Sequence, residues 1–378
     1  MNIDVTKLRS QFPILQNKIV LSSCSQSALS LDVLNAMDEY KQSLLDYGMA
    51  WDLWMEKVEN AKTQFAKLIN CDVDEVAILS SVSDSISSIL HSLDLKNNDE
   101  ICLTELDFPC VGHAVLAQQR KKSFEIKFVP HEQYIIPLDH YDNLISHKTK
   151  LVCIPHVAYY NGFKQDIKAI SNVVHQNDAL LFVDAYQSAG SLDINVEEMG
   201  IDILVTGMQK YLLGVPGISF LYIKRDIAER LEPSTTGWFG QEKPFDFNLS
   251  ELHYAKSAQR FNTGTPPVIN AYVAEAALKM INTVGIKNIE SYLEDLSSYV
   301  LQLAEELGLQ LMSPSSITAK GPNTAFFVKD AHIVESTMKD AGFIVSARKD
   351  VIRIAPHIYN TRDDLKLALL SLKNILTP

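Results

Sequence analysis

The 378-residue chain has no apolar run close to the ~20 residues that a membrane-spanning helix needs. It has no basic run either, and its formal net charge is −12. A nucleic-acid surface needs clustered Lys and Arg, so that class is set aside. Internal repeats, low-complexity tracts and Gly/Ser linkers are all missing. Cysteine is sparse: Cys24, Cys71, Cys102, Cys110 and Cys153 have neither metal-ligand spacing nor the density of a disulfide scaffold, and none follows residue 153. Reduced thiols in a cytoplasmic protein are the expectation. The opening residues, MNIDVTKLRSQFP, hold no hydrophobic signal region.

What is present suits a globular enzyme. Hydrophobic residues make up 47% and charged residues 21%, enough to bury a core without stripping the surface of charge. The length predicts about two domains. After a short helical arm (1–14), a strand at Ile19–Leu21 leads into the polar loop Ser22–Ser27, and helical patterns follow at 31–46 and 51–69. From residue 75 short apolar runs alternate with helical stretches: strands at Glu75–Ser80, Glu100–Glu105, Phe124–Val129, Lys150–Val157 and Ala179–Asp184, with helices at Asp84–Leu93, Val111–Arg120 and Asp166–His175. That alternation predicts an α/β fold with a mostly parallel sheet. Residues 226–262 read as an irregular, aromatic-rich connection. A long helical pattern broken near Gly285, short strands at Ala325–Val328, Phe343–Ala347 and Val351–Ile354, a helix at His332–Ala341 and a last helix from Arg362 make an α+β unit. The expected division is a large domain at 15–255 and a small one at 256–378 that takes in the arm 1–14.

One stretch carries the chemistry. Leu180 to Asp184 is an apolar run ending in an acid, and Ile203–Leu204–Val205 leads through Thr206–Gly207 to Gln209–Lys210. Both charged groups reach the crevice at the carboxyl ends of strands, where open α/β sheets bind ligands. Pyridoxal phosphate needs a lysine for its Schiff base and an acid to keep its ring nitrogen protonated; Lys210 and Asp184 suit those roles. Either residue alone is more often a strand-end acid or a solvated loop lysine. The joint pattern D-x-x-Q-S-x-G, then K-Y-L-x-G-x-P-G, is more specific. It resembles the fold-type I pyridoxal-phosphate enzymes of the class V aminotransferase group, which includes cysteine desulfurases, selenocysteine lyases and kynureninases. That resemblance implies a seven-stranded sheet with an antiparallel strand at Gly217–Lys224 inserted late.

The resemblance also implies further roles. Val82, through its backbone, and Ser83, through its hydroxyl, would hold the phosphate at a helix N-terminus, a place where Ser83 as a plain N-cap is the competing reading. Phe108 would stack on the cofactor ring where desulfurases carry a histidine; a phenylalanine shuttles no proton, which leaves Lys210 as the main proton-transfer group. Gln187 would sit near the ring's phenolic oxygen, and Gln209 near the phosphate. Gly207 replaces a serine that contacts phosphate in some relatives, with Thr206 as the compensating hydroxyl. His156–Val157–Ala158 matches a His-Val-Asn stretch with Ala158 in place of the amide. Arg260–Pro266 resembles R-F-E-x-G-T-P, in which Thr265 reaches the neighbouring subunit's cofactor, implying a homodimer with shared sites; an N-cap at Thr265 is the bland alternative. Gly237–Trp238–Phe239–Gly240 resembles a kynureninase-like segment at that interface. Arg353, in a segment like I-R-x-S-x-x-x-Y-N-T, would fork onto an amino acid's α-carboxylate; a structural salt bridge is the other reading.

The missing cysteine then matters. A desulfurase takes sulfur as a persulfide on a cysteine in a C-terminal loop. Here Gly342–Arg348 runs straight to Val351–Arg353 with almost no room for one. Lyase chemistry on a β-substituted amino acid without a persulfide cysteine ranks first, ahead of transamination. Kynureninase-like cleavage, epimerisation and a non-enzymatic scaffold remain open. Trp51, Trp54, Tyr159, Tyr160 and Trp238 hint at a bulky substrate, with packing an equal alternative.

Overall fold

Strands buried on both faces cannot alternate apolar with polar residues, which is why this chain's strands read as continuous runs. The computed structural model describes residues 4–377; residues 1–3 of the expected arm, and Pro378, lie outside the described residues. In chain order the elements are α1 (Val5–Arg9), β1 (Ile19–Val20), α2 (Leu31–Tyr47), α3 (Trp51–Ile69), β2 (Val76–Leu79), α4 (Val82–Ser92), β3 (Glu100–Thr104), α5 (Pro109–Gln119), β4 (Glu125–Val129), α6 (Leu138–Leu144), β5 (Thr149–Pro155), α7 (Ile167–Gln176) and β6 (Leu180–Asp184). They continue with α8 (Val196–Met199), β7 (Ile203–Gly207), β8 (Ser219–Ile223), α9 (Arg225–Ala228), α10 (Val268–Val284), α11 (Ile286–Glu306), β9 (Thr324–Phe327), α12 (Ala331–Asp340), β10 (Phe343–Ile344), β11 (Ser346–Arg348), β12 (Val351–Ile354) and α13 (Arg362–Leu376).

The large sheet has seven strands in the order β2-β8-β7-β6-β5-β3-β4. β8 runs antiparallel to β2 and β7, as expected of the late insertion, and the remaining pairs are parallel. Parallel pairing stacks the carboxyl ends of β5, β6 and β7 on one edge, and that edge positions the site. β9, β11 and β12 form a separate antiparallel sheet, and β1 pairs in parallel with β10.

Four local expectations change. The helix at 82–92 starts two residues before Asp84, because Ser81, and not Ser83, accepts the Asp84 amide at 3.1 Å as the cap. α10 begins at Val268 behind Pro267 with no side-chain cap, so Thr265 is not an N-cap. The run 343–347 serves two sheets: Phe343–Ile344 pairs with β1, Ser346–Arg348 with β12. Helices α6, α8 and α9 are too short to show a 3.6-residue period in the sequence. The break at Gly285, with φ +86°, is where the pattern put it. The division at 255/256 remains a proposal. α10, beyond it, packs along α2 and α3, with Asn282 Nδ2 donating to the Gln64 carbonyl at 3.0 Å, and β1, before it, joins β10.

Candidate active site

The strand ends and the N-terminus of α4 enclose a cavity of about 260 Å³. Val82, Ser83, Phe108, Asp184, Gln187, Gln209 and Lys210 all line it. A larger groove of about 910 Å³, among α1, α2 and α10, holds none of these groups. Asp184 ends β6, is buried, and accepts the Tyr186 amide at 2.9 Å through Oδ1. Burial raises its pKa, while the nearby Lys210 charge pulls the other way. Burial also drops the Lys210 amine to about 8, against the opposing pull of Asp184. Lys210 Nζ lies 4.1 Å from the Tyr186 ring centroid and 5.6 Å from that of Phe108.

The lysine segment is held from both sides. Gly190, at φ +90°, closes the D-x-x-Q-S-x-G turn so tightly that a Cβ there would collide with the Tyr211 carbonyl. The loop 22–27 runs beneath: Ser27 Oγ donates to the Lys210 carbonyl at 2.6 Å, and the Ser27 amide to the Gln209 carbonyl at 3.0 Å. Gln187 Nε2 donates to the Cys24 carbonyl at 3.0 Å, which leaves its Oε1 buried and unpartnered. In the sequence this is only a polar loop after a strand; in the structure it supports the lysine.

Other expected residues fall outside the cavity lining. Thr206 is fully buried in β7 and donates to the Gly207 carbonyl at 3.3 Å, so its hydroxyl does not compensate for the missing serine there. The space at Gly207 is filled by Tyr186: a Cβ at 207 would collide with the Tyr186 Oη and Cζ. Ala158 is buried in the core and does not line the cavity, whereas its neighbours Val157 and Tyr159 do. Thr265 is exposed on the surface of the single chain. Trp51, Trp54 and Trp238 do not line the cavity; Trp51 packs edge-on against both of the others.

Arg353, on β12, is fully buried. It donates to the Tyr159 carbonyl at 2.9 Å and to the hydroxyls of Ser25 at 2.9 Å and Ser346 at 2.6 Å. Its Nε has no partner, and among the described residues no carboxylate pairs with it, which rules out the salt-bridge reading there. A buried guanidinium held only by neutral oxygens is short of a counter-ion, which an anionic ligand would supply. Tyr186 lines the cavity and escaped the sequence reading; Tyr159, expected only as one of several candidate substrate aromatics, and Cys110, next to Pro109 beyond Phe108, line it as well. Their signal was positional: Tyr186 lies two residues beyond the strand-end acid, and Tyr159 alternates with Val157. Between β11 and β12 only Lys349 and Asp350 intervene, leaving no loop for a sulfur-accepting cysteine. Burial pushes the Cys110 thiol up to about 12.

The cavity fits pyridoxal phosphate on its own features: a low-pKa lysine amine against two aromatic rings, a buried acid, an unpartnered amide oxygen, and a helix N-terminus ringed by Ser80, Ser81 and Ser83. The family model described as Aminotransferase class-V matches residues 19–367. The chain is 41% identical over 363 residues to an uncharacterized aminotransferase, YcbU, of Bacillus subtilis (strain 168), covering 96% of this chain and 95% of the other. Among solved structures, the apo cysteine desulfurase of Thermococcus onnurineus NA1 superimposes with a TM-score of 0.90 at 22% identity, over 100% of this chain and 98% of that one. The cystine C–S lyase C-DES, in complex with cysteine persulfide, gives 0.89 at 20% identity over 96% and 99%. Those two likenesses establish the shared fold. The chain belongs to the class-V aminotransferase family, and it is a fold-type I enzyme that uses pyridoxal 5'-phosphate.

Proposed function

We propose that this enzyme cleaves a small β-substituted amino acid at its Cβ–S or Cβ–Se bond, without passing sulfur to a cysteine of its own. The observation that carries the proposal is that Lys210, its amine lowered to about 8, is among the described residues the one basic side chain lining the cavity, while the β11–β12 hairpin has no room for a persulfide loop. When bound through a lysine amine, pyridoxal phosphate supplies an electron sink that makes bonds at an amino acid's Cα easier to break. Asp184 holds the ring nitrogen's proton, Phe108 covers one ring face, and Gln187 faces the phenolic oxygen. Val82, Ser83 and Gln209 hold the phosphate. Arg353, behind the lining with its Nε unpartnered, would fork onto the substrate carboxylate by exchanging a serine hydroxyl for it. Lys210 then takes the Cα proton as general base. The Cβ–S bond breaks with its electron pair leaving on sulfur, and the released enamine hydrolyses to pyruvate and ammonia. A cavity of about 260 Å³, shared with the cofactor, favours a short side chain over a bulky aromatic one.

Transamination is the second reading, supported by the YcbU likeness and by the same single base, which can return the Cα proton elsewhere. We further propose a homodimer. Thr265 is exposed, its loop bonds to the aromatic connection through Phe239 N and the Thr263 carbonyl at 3.1 Å, and Phe245, Phe247 and Leu249 are exposed beside it. The deciding experiment is turnover of cysteine, cystine and selenocysteine with the visible spectrum recorded. Catalytic pyruvate with the colour retained supports the lyase. Stoichiometric keto acid with the colour lost replaces it by transamination, and a persulfide on Cys24 or Cys110 overturns direct release.

A further inference from the structure

Tyr186 occupies a place that the sequence reading left unexplained. Its backbone is tied to Asp184 at 2.9 Å, its ring lies 4.1 Å from Lys210 Nζ, and its hydroxyl sits 3.3 Å from Gln209 Oε1. It can lie there only because residue 207 is glycine: any Cβ at that position would meet the phenol. The pair Tyr186–Gly207 is therefore one feature, with position 207 giving up its side chain to the tyrosine.

The chemistry of the hydroxyl points one way. It lines the same cavity as Ser80–Ser83 at the N-terminus of α4. Among the described residues its one partner is a glutamine oxygen at a long distance, and the bond from Gln209 Nε2 to the Ser25 carbonyl is also long, at 3.4 Å. The two ends of an amide are assigned by their hydrogen bonds. Here both bonds fit the amide as it stands, with Nε2 towards the Ser25 carbonyl and Oε1 accepting from the phenol. The O–H therefore already points a proton into the cavity wall, and would exchange a long neutral acceptor for a charged one. A hydroxyl with a proton to donate is well suited to a phosphate oxygen.

We propose that Tyr186 is a cofactor-binding residue: its ring walls the pyridine ring opposite Phe108, and its hydroxyl donates to the cofactor phosphate from the space vacated at Gly207. This rests on the cofactor assignment for the Lys210 cavity. It makes two residues, neither of them selected as a ligand from the sequence, into a coupled determinant of phosphate recognition.

The test compares pyridoxal phosphate with pyridoxal, which lacks the phosphate. Both are titrated into cofactor-stripped full-length protein, with visible absorption and tryptophan fluorescence as readouts. Tyr186→Phe keeps the ring and loses the hydroxyl. It should weaken pyridoxal phosphate about tenfold or more, the worth of a hydrogen bond to a charged group, and leave pyridoxal unchanged. Gly207→Ser should impair binding of both by displacing the phenol, and Tyr186→Ala/Gly207→Ser should recover phosphate preference relative to Tyr186→Ala alone. An unchanged ratio of the two affinities in Tyr186→Phe overturns the proposal while leaving the cofactor site intact. If wild type forms no visible band that Lys210→Ala lacks, the cofactor assignment fails and this role falls with it.

Discussion

His357 donates from Nε2 to the carbonyl oxygen of Tyr211 at 2.8 Å, while its Nδ1 accepts the Ile358 amide at 2.8 Å. The C-terminal segment thereby grips the backbone directly after Lys210, and both ring nitrogens are satisfied only in the neutral form. Burial lowers the pKa to about 4 from an ordinary 6.5. Between those values the unfolded chain takes up a proton that the folded chain refuses. Stability is therefore complete above about pH 6.5 and declines as pH falls towards about 4. Buried His156, lowered to about 3, acts in the same direction. Denaturant midpoints measured across this range should fall with pH, and His357→Gln should flatten the slope. An unaltered slope would show that His357 is not a source of the acid lability.

Lys210 should load with cofactor at unusually low pH. Pyridoxal phosphate adds to a neutral amine, and burial brings that amine to about 8 from 10.5. In stripped protein the rate of colour formation should climb with pH and level off just above 8. A rate that keeps rising to the ordinary lysine value would mean the amine is not desolvated. Lys210→Ala should bind cofactor without the visible band.

Arg353→Lys should separate substrate binding from cofactor binding. The guanidinium's fork is lost and the point charge kept, removing one or two charge-assisted hydrogen bonds of ~1.5–3 kcal/mol each. We expect kcat/KM to fall about a hundredfold, mainly through KM, with the cofactor's absorption and affinity unchanged. Equal loss of cofactor affinity would reassign Arg353 to holding the loop through Ser25 and Ser346.

Gly190→Ala should damage the lysine segment without touching the cavity. The backbone there has φ +90°, and the added methyl would press on the Tyr211 carbonyl. A destabilisation of ~1–3 kcal/mol is expected from conformational strain and overpacking. It should be accompanied by a slower reaction of Lys210 with cofactor. A stable, fully reactive variant would mean that the 184–190 turn does not position the lysine.

Much of the site was legible because strand ends announce themselves. An apolar run stopping at Asp184, and another followed by Gln209–Lys210, put both groups on the sheet's carboxyl edge without knowledge of strand order. The mistakes came where a hydroxyl was assigned by proximity in sequence. Thr206 is adjacent to Gly207 along the chain, yet strand alternation and full burial turn it into the sheet; Tyr186 is twenty-one residues away and fills the gap. Ser83 competes as a cap in the sequence, but a helix start two residues earlier gives that bond to Ser81 and leaves Ser83 in the cavity.

By itself the sequence determined the αβ alternation, the acid and lysine at strand ends, and the missing cysteine, while the antiparallel β8 came only from the family resemblance. Leaving β8 aside, each of these is a local property, of periodicity, of turn chemistry or of composition. Only the tertiary structure decided which side chains share a volume. The loop 22–27 meets Lys210, Arg353 meets Ser25, and Tyr186 meets Gly207 across separations that no local pattern encodes. Those encounters follow from how strands are ordered and how buried polar groups find partners. Both are settled by packing the whole chain at once.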